Sequence, residues 1–325
     1  MMSSSKSKDN CRKSKVEYIL FYCLLSIVLC PTALRAQVTI ADTTYYVLIT
    51  YSGNTATVEM TDDVKSYVSA SVDGAHVTIT STASAAVNEI TYGLAGSTTN
   101  GSFTFNGSYK ATVELFGVTL TNPAGPAIDI QNGKRIEISA KKETVSTLTD
   151  GTSTEESAWK GALYCKGHIE FKGKGTLNVY GNYAHAIKAG EYIEMKNCTI
   201  NVYSAVKDAI NCNQYFLMES GEINLSGFGD DGIQVDMEDN DTSAENTANF
   251  TMTGGTININ MTGAAGESVK AEGVQSVASE ASLNLSTGIE DVKSARMLGN
   301  KVLLDGKVLI KKNNQLFTLT GHEIQ

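Results

Sequence analysis

The sequence lacks the marks of the common enzyme classes. Its four histidines, His76, His168, His185 and His322, lie far apart. No Ser-His-Asp order and no glycine-rich phosphate loop accompanies them, so neither a nucleophile relay nor a nucleotide cradle is legible. Only three prolines occur in 325 residues that are 42% hydrophobic, which excludes a disordered linker protein and leaves ample material for a core. Basic residues are also scarce, 26 against 35 acidic, for a formal net charge of −9. Residues 1–36 hold six basic and two acidic groups, so the other 289 residues carry 20 and 33, a net of −13. That excess disfavours nucleic acid and anionic membrane surfaces as partners. It suits cations, calcium above all, wherever carboxylates converge.

A long hydrophobic run is missing too. Ile19–Leu29 gives eleven mostly apolar positions, little more than half of the ~20 that a membrane-spanning helix needs. Polar, basic residues precede the run and the small Ala36 closes it, the order of a secretory signal covering residues 1–36. Cleavage would leave no membrane insertion, place the protein outside the cell or on its surface, and remove Cys11, Cys23 and Cys30. Cys165, Cys198 and Cys212 would remain.

What the sequence does contain is a period. An apolar-Asn-apolar phrase recurs around Asn178, Asn201, Asn224, Asn258 and Asn284, at spacings of 23, 23, 34 and 26. Out of phase with it runs a small-aliphatic phrase: Ala162-Leu163, Ala186-Ile187, Ala209-Ile210, Gly232-Ile233 and Ser268-Val269. Between the two lies a third strand-like piece, as in Ile169-Glu170-Phe171 or Phe250-Thr251-Met252. One unit is therefore about 23 residues with three short alternating runs and no helical period. A propeller blade is longer and a leucine-rich repeat carries helix. The pattern predicts an all-β, right-handed parallel β-helix, a solenoid whose units stack ~4.8 Å apart. Residues 37–120 are expected to form an N-terminal β cap with the first irregular rungs, 121–286 the β-helix, and 287–325 a small C-terminal hairpin module with its turn at Asp305-Gly306. Cys165 and Cys212 fall two rungs apart, ~9.6 Å on that spacing, too far for a disulfide.

Stacking turns equivalent positions into columns, expected on the outside of the coil. His185, Asp208, Asp231 and Glu267 precede the small-aliphatic phrase in successive rungs, with Asp230 beside Asp231. Carboxylates about one rung apart repel one another unless a cation lies between them, so Asp208, Asp230, Asp231 and Glu267 are candidate Ca2+ ligands. Turn positions also favour Asp with no metal present. His168, Tyr192 and Tyr215 form a second column and Tyr180 and Tyr203 a third. Exposed aromatic faces suit sugar rings, and with Lys188 these are the candidate carbohydrate-binding residues, although a cross-rung ladder that merely stabilises the sheet would look alike. The Asn column reads as structural. Lys188, Lys207 and Lys270 lie near the acidic column, and a lysine there is the one plausible base for a lyase.

Gly229-Asp230-Asp231-Gly232-Ile233, Thr253-Gly254-Gly255-Thr256-Ile257 and the stretch 182–188 give the chain, over roughly residues 45–285, a resemblance to secreted, calcium-binding, carbohydrate-binding β-helix proteins of polysaccharide-lyase-like build. The resemblance implies a pectate-lyase-like solenoid that binds polysaccharides, acidic pectin-like chains among them, without established turnover. The alternatives are a Ca2+-dependent lyase acting by β-elimination and a structural or adhesive surface protein. The chain departs from the family pattern where Asp208-Ala209-Ile210 keeps one acid and His185-Ala186-Ile187 none. Residues 302–321 are similar to C-terminal sorting tails of type IX secretion cargo; a plain capping hairpin would share the pattern.

Overall fold

Alternation of apolar and polar residues puts strands along the whole chain, and among the described residues there is no helix. A computed structural model divides the chain into two units, Met1–Thr39 and Ile40–Gln325. It describes residues 43–155, 158–287, 301–304, 307–312, 315–317 and 323–324, all in the second unit. The expected signal segment and the Asp305-Gly306 turn lie outside the described residues.

Each coil supplies three strands. On the first face Ile128–Gln131, Gly161–Cys165, His185–Ala189, Ile210–Asn213, Ile233–Asp236 and Val269–Ala271 pair in parallel, each with the next. The second face repeats this with Ile136–Ala140, Ile169–Gly173, Ile193–Met195, Tyr215–Met218, Asn249–Met252 and Gln275–Val277. The third face consists of Val145–Thr149, Thr176–Tyr180, Thr199–Ser204, Glu222–Leu225, Thr256–Asn260 and Ser282–Ser286. The result is a helix-like, nearly closed wrap of parallel strands. The repeated phrases meet residue on residue: Asn178 pairs with Asn201, Asn201 with Asn224.

Regular coiling begins earlier than residue 121. Gly101–Asn106, Ala111–Leu115 and Thr119–Thr121 already pair in parallel with the three faces. In these first coils Thr119 and Thr147 stand in the column that Asn fills later, so the strand is present while its sequence phrase is not. Upstream, two antiparallel hairpins, Tyr46–Ser52 with Thr55–Met60 and Val68–Asp73 with Ala75–Ser81, precede the coils. The long strand Ile90–Thr98 pairs with both Ala111–Leu115 and Thr119–Thr121, which joins the second and third faces into one 17-stranded sheet beside the 9-stranded first face. Lys301–Leu304, Lys307–Lys312, Gln315–Phe317 and Glu323–Ile324 make a separate 4-stranded antiparallel sheet.

Inward side chains form stacked apolar columns, such as Ile193, Phe216 and Phe250, whose two phenyl rings lie 5.3 Å apart. Cys165, Cys198 and Cys212 are free and buried within the same core. Burial pushes each thiol up to about 12, so they act as small apolar fillers. The corner after the second face requires a left-handed residue: Gly173 has φ 98°, and a Cβ there would lie 2.0 Å from the Ala140 carbonyl oxygen.

Candidate cation and glycan sites

The acidic column forms, but not on the outside. Asp208 and Asp231 are each 1% exposed. The turn amides of adjacent coils do not all find strand partners, and the carboxylates supply the missing acceptors. Asp208 Oδ1 accepts the Asp231 backbone N–H at 3.1 Å, and Asp231 Oδ1 accepts the Glu267 N–H at 2.6 Å. Asp208 Oδ2 accepts Asn211 Nδ2 at 2.8 Å, with His185 Nδ1 at 3.2 Å. Burial pushes the Asp208 carboxyl up, but the neighbouring His185 imidazole and the hydrogen bonds from Asn211 and the Asp231 amide outweigh it and hold the group below the usual carboxylate range.

One oxygen is left over. Asp231 Oδ2 is buried and has no hydrogen-bond donor; Lys270 Nζ approaches to 3.3 Å as an ion pair. The Asp231 carboxylate raises the Lys270 ammonium above its ordinary pKa. Carboxylate oxygens of Asp208, Asp230 and Asp231 lie within 4.8 Å of one another, with Asp230 exposed. Glu267, the expected fourth ligand, stands outside this group and contributes its backbone N–H instead. Gly266 has a part that sequence reasoning missed: a Cβ there would lie 2.2 Å from Asp231 Oδ1 and 2.6 Å from Asp230 Oδ1, so only glycine lets the chain close over both acids. Three carboxylates, one of them bearing the unbonded buried oxygen, are hard donors that fit a divalent cation of the calcium type. Asp208, Asp230 and Asp231 are the residues that would hold it.

Lys188 belongs to the same neighbourhood. On the first face it donates to Asn211 Oδ1 and, at 2.8 Å, to Asn213 Oδ1, while Asn211 reaches Asp208. Desolvation lowers its pKa most, with the nearby Lys160 charge adding to that and Asp236 and Glu238 opposing it. The acidic stretch 238–245, in the insertion between Asn224 and Asn258, is folded on itself: Asn246 donates to the Glu238 and Asp241 carbonyls, Asn213 to the Glu238 carboxylate, and Ser243 to Asp241.

The aromatic columns also form, with a correction to their geometry. His168 and Tyr192 stack at 4.1 Å and 19°, and Tyr192 and Tyr215 at 4.4 Å and 10°. Both faces of Tyr192 are therefore covered by its neighbours, and the column offers ring edges rather than the free faces that its spacing suggested. His168 Nδ1 pairs with Glu191 at 2.6 Å and the Tyr215 hydroxyl donates to Glu194 at 2.7 Å. Desolvation, reinforced by Glu194 and Glu170, pushes the Tyr192 phenol up to about 12. Tyr180 and Tyr203 stack separately at 5.1 Å. This pair lies at the C-terminal ends of third-face strands, whereas Tyr192 and Tyr215 lie at the start of second-face strands, so the two columns border opposite ends of the first face and do not form one aromatic surface.

A family model described as "Carbohydrate-binding domain-containing protein" matches residues 73–315. No curated protein matches the chain. The solved structure of a polysaccharide lyase-like protein from C. thermocellum, a gadolinium derivative, superposes with a TM-score of 0.59 at 21% identity, over 74% of this chain and 100% of that one. At that identity the likeness concerns the fold.

Proposed function

The chain belongs to the carbohydrate-binding domain-containing family, and from that premise we propose that it is a secreted or cell-surface, non-catalytic polysaccharide-binding protein of right-handed β-helix form, stabilised by Ca2+ and selective for acidic, pectin-like chains. The convergence of Asp208, Asp230 and Asp231 around the unbonded Asp231 Oδ2 is the observation that carries the cation and, through it, the acidic ligand. A bound divalent ion would offset most of the negative charge of these three carboxylates and would take uronate oxygens in its remaining coordination positions. Lys188, fixed by Asn211 and Asn213, adds a second positive group on the same face. Affinity electrophoresis tests the reading: the chain should be retarded in polygalacturonate gels containing Ca2+ and run freely in the same gels containing EGTA. Equal mobility in both, matching a gel without glycan, ends it.

The lowered pKa of Lys188 favours one second reading, a β-eliminating lyase with that lysine as base. Its unsaturated product absorbs in the ultraviolet. No rise in absorbance from polygalacturonate with Ca2+ across the pH range removes that reading.

A further inference from the structure

A groove of about 490 Å3 runs along the third face, lined by none of the clustered acids. One wall is the asparagine ladder. Asn201 Nδ2 donates to Asn178 at 2.9 Å, Asn224 to Asn201 at 2.9 Å, Asn258 to Asn224 at 2.7 Å and Asn284 to Asn258 at 2.8 Å. A primary amide has two N–H donors and two acceptor lone pairs. The ladder uses one of each on Asn201, Asn224 and Asn258, so Asn201 and Asn224 each retain an N–H and a lone pair, while Asn258 retains a lone pair and turns its second N–H to Glu222 at 3.5 Å. These repeat at the strand spacing of ~4.8 Å, undisturbed by the insertion that separates Asn224 from Asn258 in sequence.

The other wall begins at a bulge. Val179 pairs with Val202, but Tyr180 pairs with Ser204, so Tyr203 is the extra residue and its ring is pushed out to 46% exposure. Tyr180 covers one face of that ring. On the other side the wall continues with the short side chains of Ser226 and Asn260, which leaves the second face of Tyr203 looking down an open trough. No charged side chain lines the groove. The carboxylate that reaches the ladder, Glu222, lies 3.5 Å from Asn258 Nδ2 and belongs to the column on the far side of the asparagines.

We propose that this groove is a separate binding track for a neutral polysaccharide, lying along the coil axis with its hydroxyls on the asparagine amides and one sugar ring on Tyr203. A hydroxyl both donates and accepts and so satisfies both vacant positions of Asn201 and Asn224 and the lone pair left on Asn258, whereas a carboxylate only accepts. The acidic surface and Glu222 disfavour a charged chain further. An extended glycan advances by about one ring length per sugar, close to the ~4.8 Å rung repeat, so successive sugars meet equivalent amides. The inference rests on the family's carbohydrate binding but needs no cation.

The experiment is affinity electrophoresis of the full chain in hydroxyethylcellulose gels with EGTA throughout, beside polygalacturonate gels with Ca2+. Wild type should be retarded by hydroxyethylcellulose. Tyr203→Ala, Asn258→Thr and Ser226→Arg should each weaken that binding about tenfold, the effect of one good contact, with circular dichroism unchanged. Threonine already fills this column at Thr119 and Thr147, and Ser226→Arg blocks the trough without touching ladder or ring. Wild-type mobility unaffected by hydroxyethylcellulose while polygalacturonate still retards overturns the track alone; no retardation in either gel overturns the parent reading with it. Undiminished retardation of all three variants also overturns the track.

Discussion

Asp231 has two separable duties, and two substitutions separate them. Asp231→Ala removes the acceptor of the Glu267 N–H, bonded at 2.6 Å in a residue 1% exposed. A buried donor left unpaired costs ~1–3 kcal/mol. The lost ion pair adds little, ~0–1 kcal/mol, because the Lys270 side chain is 48% exposed and screened. In EGTA the loss should total about 1–4 kcal/mol, a fall of roughly 2–15 °C in melting temperature for a domain of this size. Asp231→Asn keeps an acceptor for Glu267 and loses the charge, so in EGTA it should cost only about 1 kcal/mol. With Ca2+ at a hundredfold excess over its Kd, wild type should gain ~2.7 kcal/mol, and the Asn variant almost none of it. Differential scanning fluorimetry of the three proteins with Ca2+ and with EGTA reads all of these quantities. An Asn variant that gains as much from Ca2+ as wild type refutes the cation site. An Ala variant as stable as the Asn variant in EGTA refutes the capping role.

Two further outcomes test the packing around the site. Burial pushes the Asp150 carboxyl up to about 6 against the hydrogen bonds it accepts from the Asn182 amide and from Trp159 Nε1 at 2.7 Å. Because the folded state holds this proton more tightly than the unfolded one, stability should fall as pH rises from ~4 to about 6 and then level off. The single tryptophan should report the same step in its fluorescence, and a flat signal from pH 4 to 8, or one unchanged in Asp150→Ala, contradicts it. Phe250→Ala should cost ~3–5 kcal/mol in urea unfolding, since its ring is fully buried against Phe216; a loss below ~1 kcal/mol would mean that the coil interior collapses freely.

The coil was legible because parallel stacking forces equivalent residues into contact, and contact selects the same residue types at the same interval. Asn178, Asn201 and Asn224 show this most plainly. Where Thr119 and Thr147 stand in that column the phrase is lost, and the regular coil is hidden although its hydrogen bonding continues. Tyr180 and Tyr203 share the 23-residue spacing of true column mates, yet the strand slips by one residue between them. Spacing counts residues; a bulge changes which of them face each other without altering the count.

The acidic column was visible as an alignment and misjudged as a surface. Composition, the 23-residue period and the alternation of apolar side chains by themselves fixed an all-β stack of three-stranded coils, because each depends only on local pattern and repetition. Whether Asp208 points outward or caps the next coil depends on backbone amides that lie a full turn away, and Gly266 admits those carboxylates only because residue 266 is folded back onto them. Burial, unpaired oxygens and the trough beside the asparagine ladder are properties of surfaces brought together. They exist only once the coil has closed.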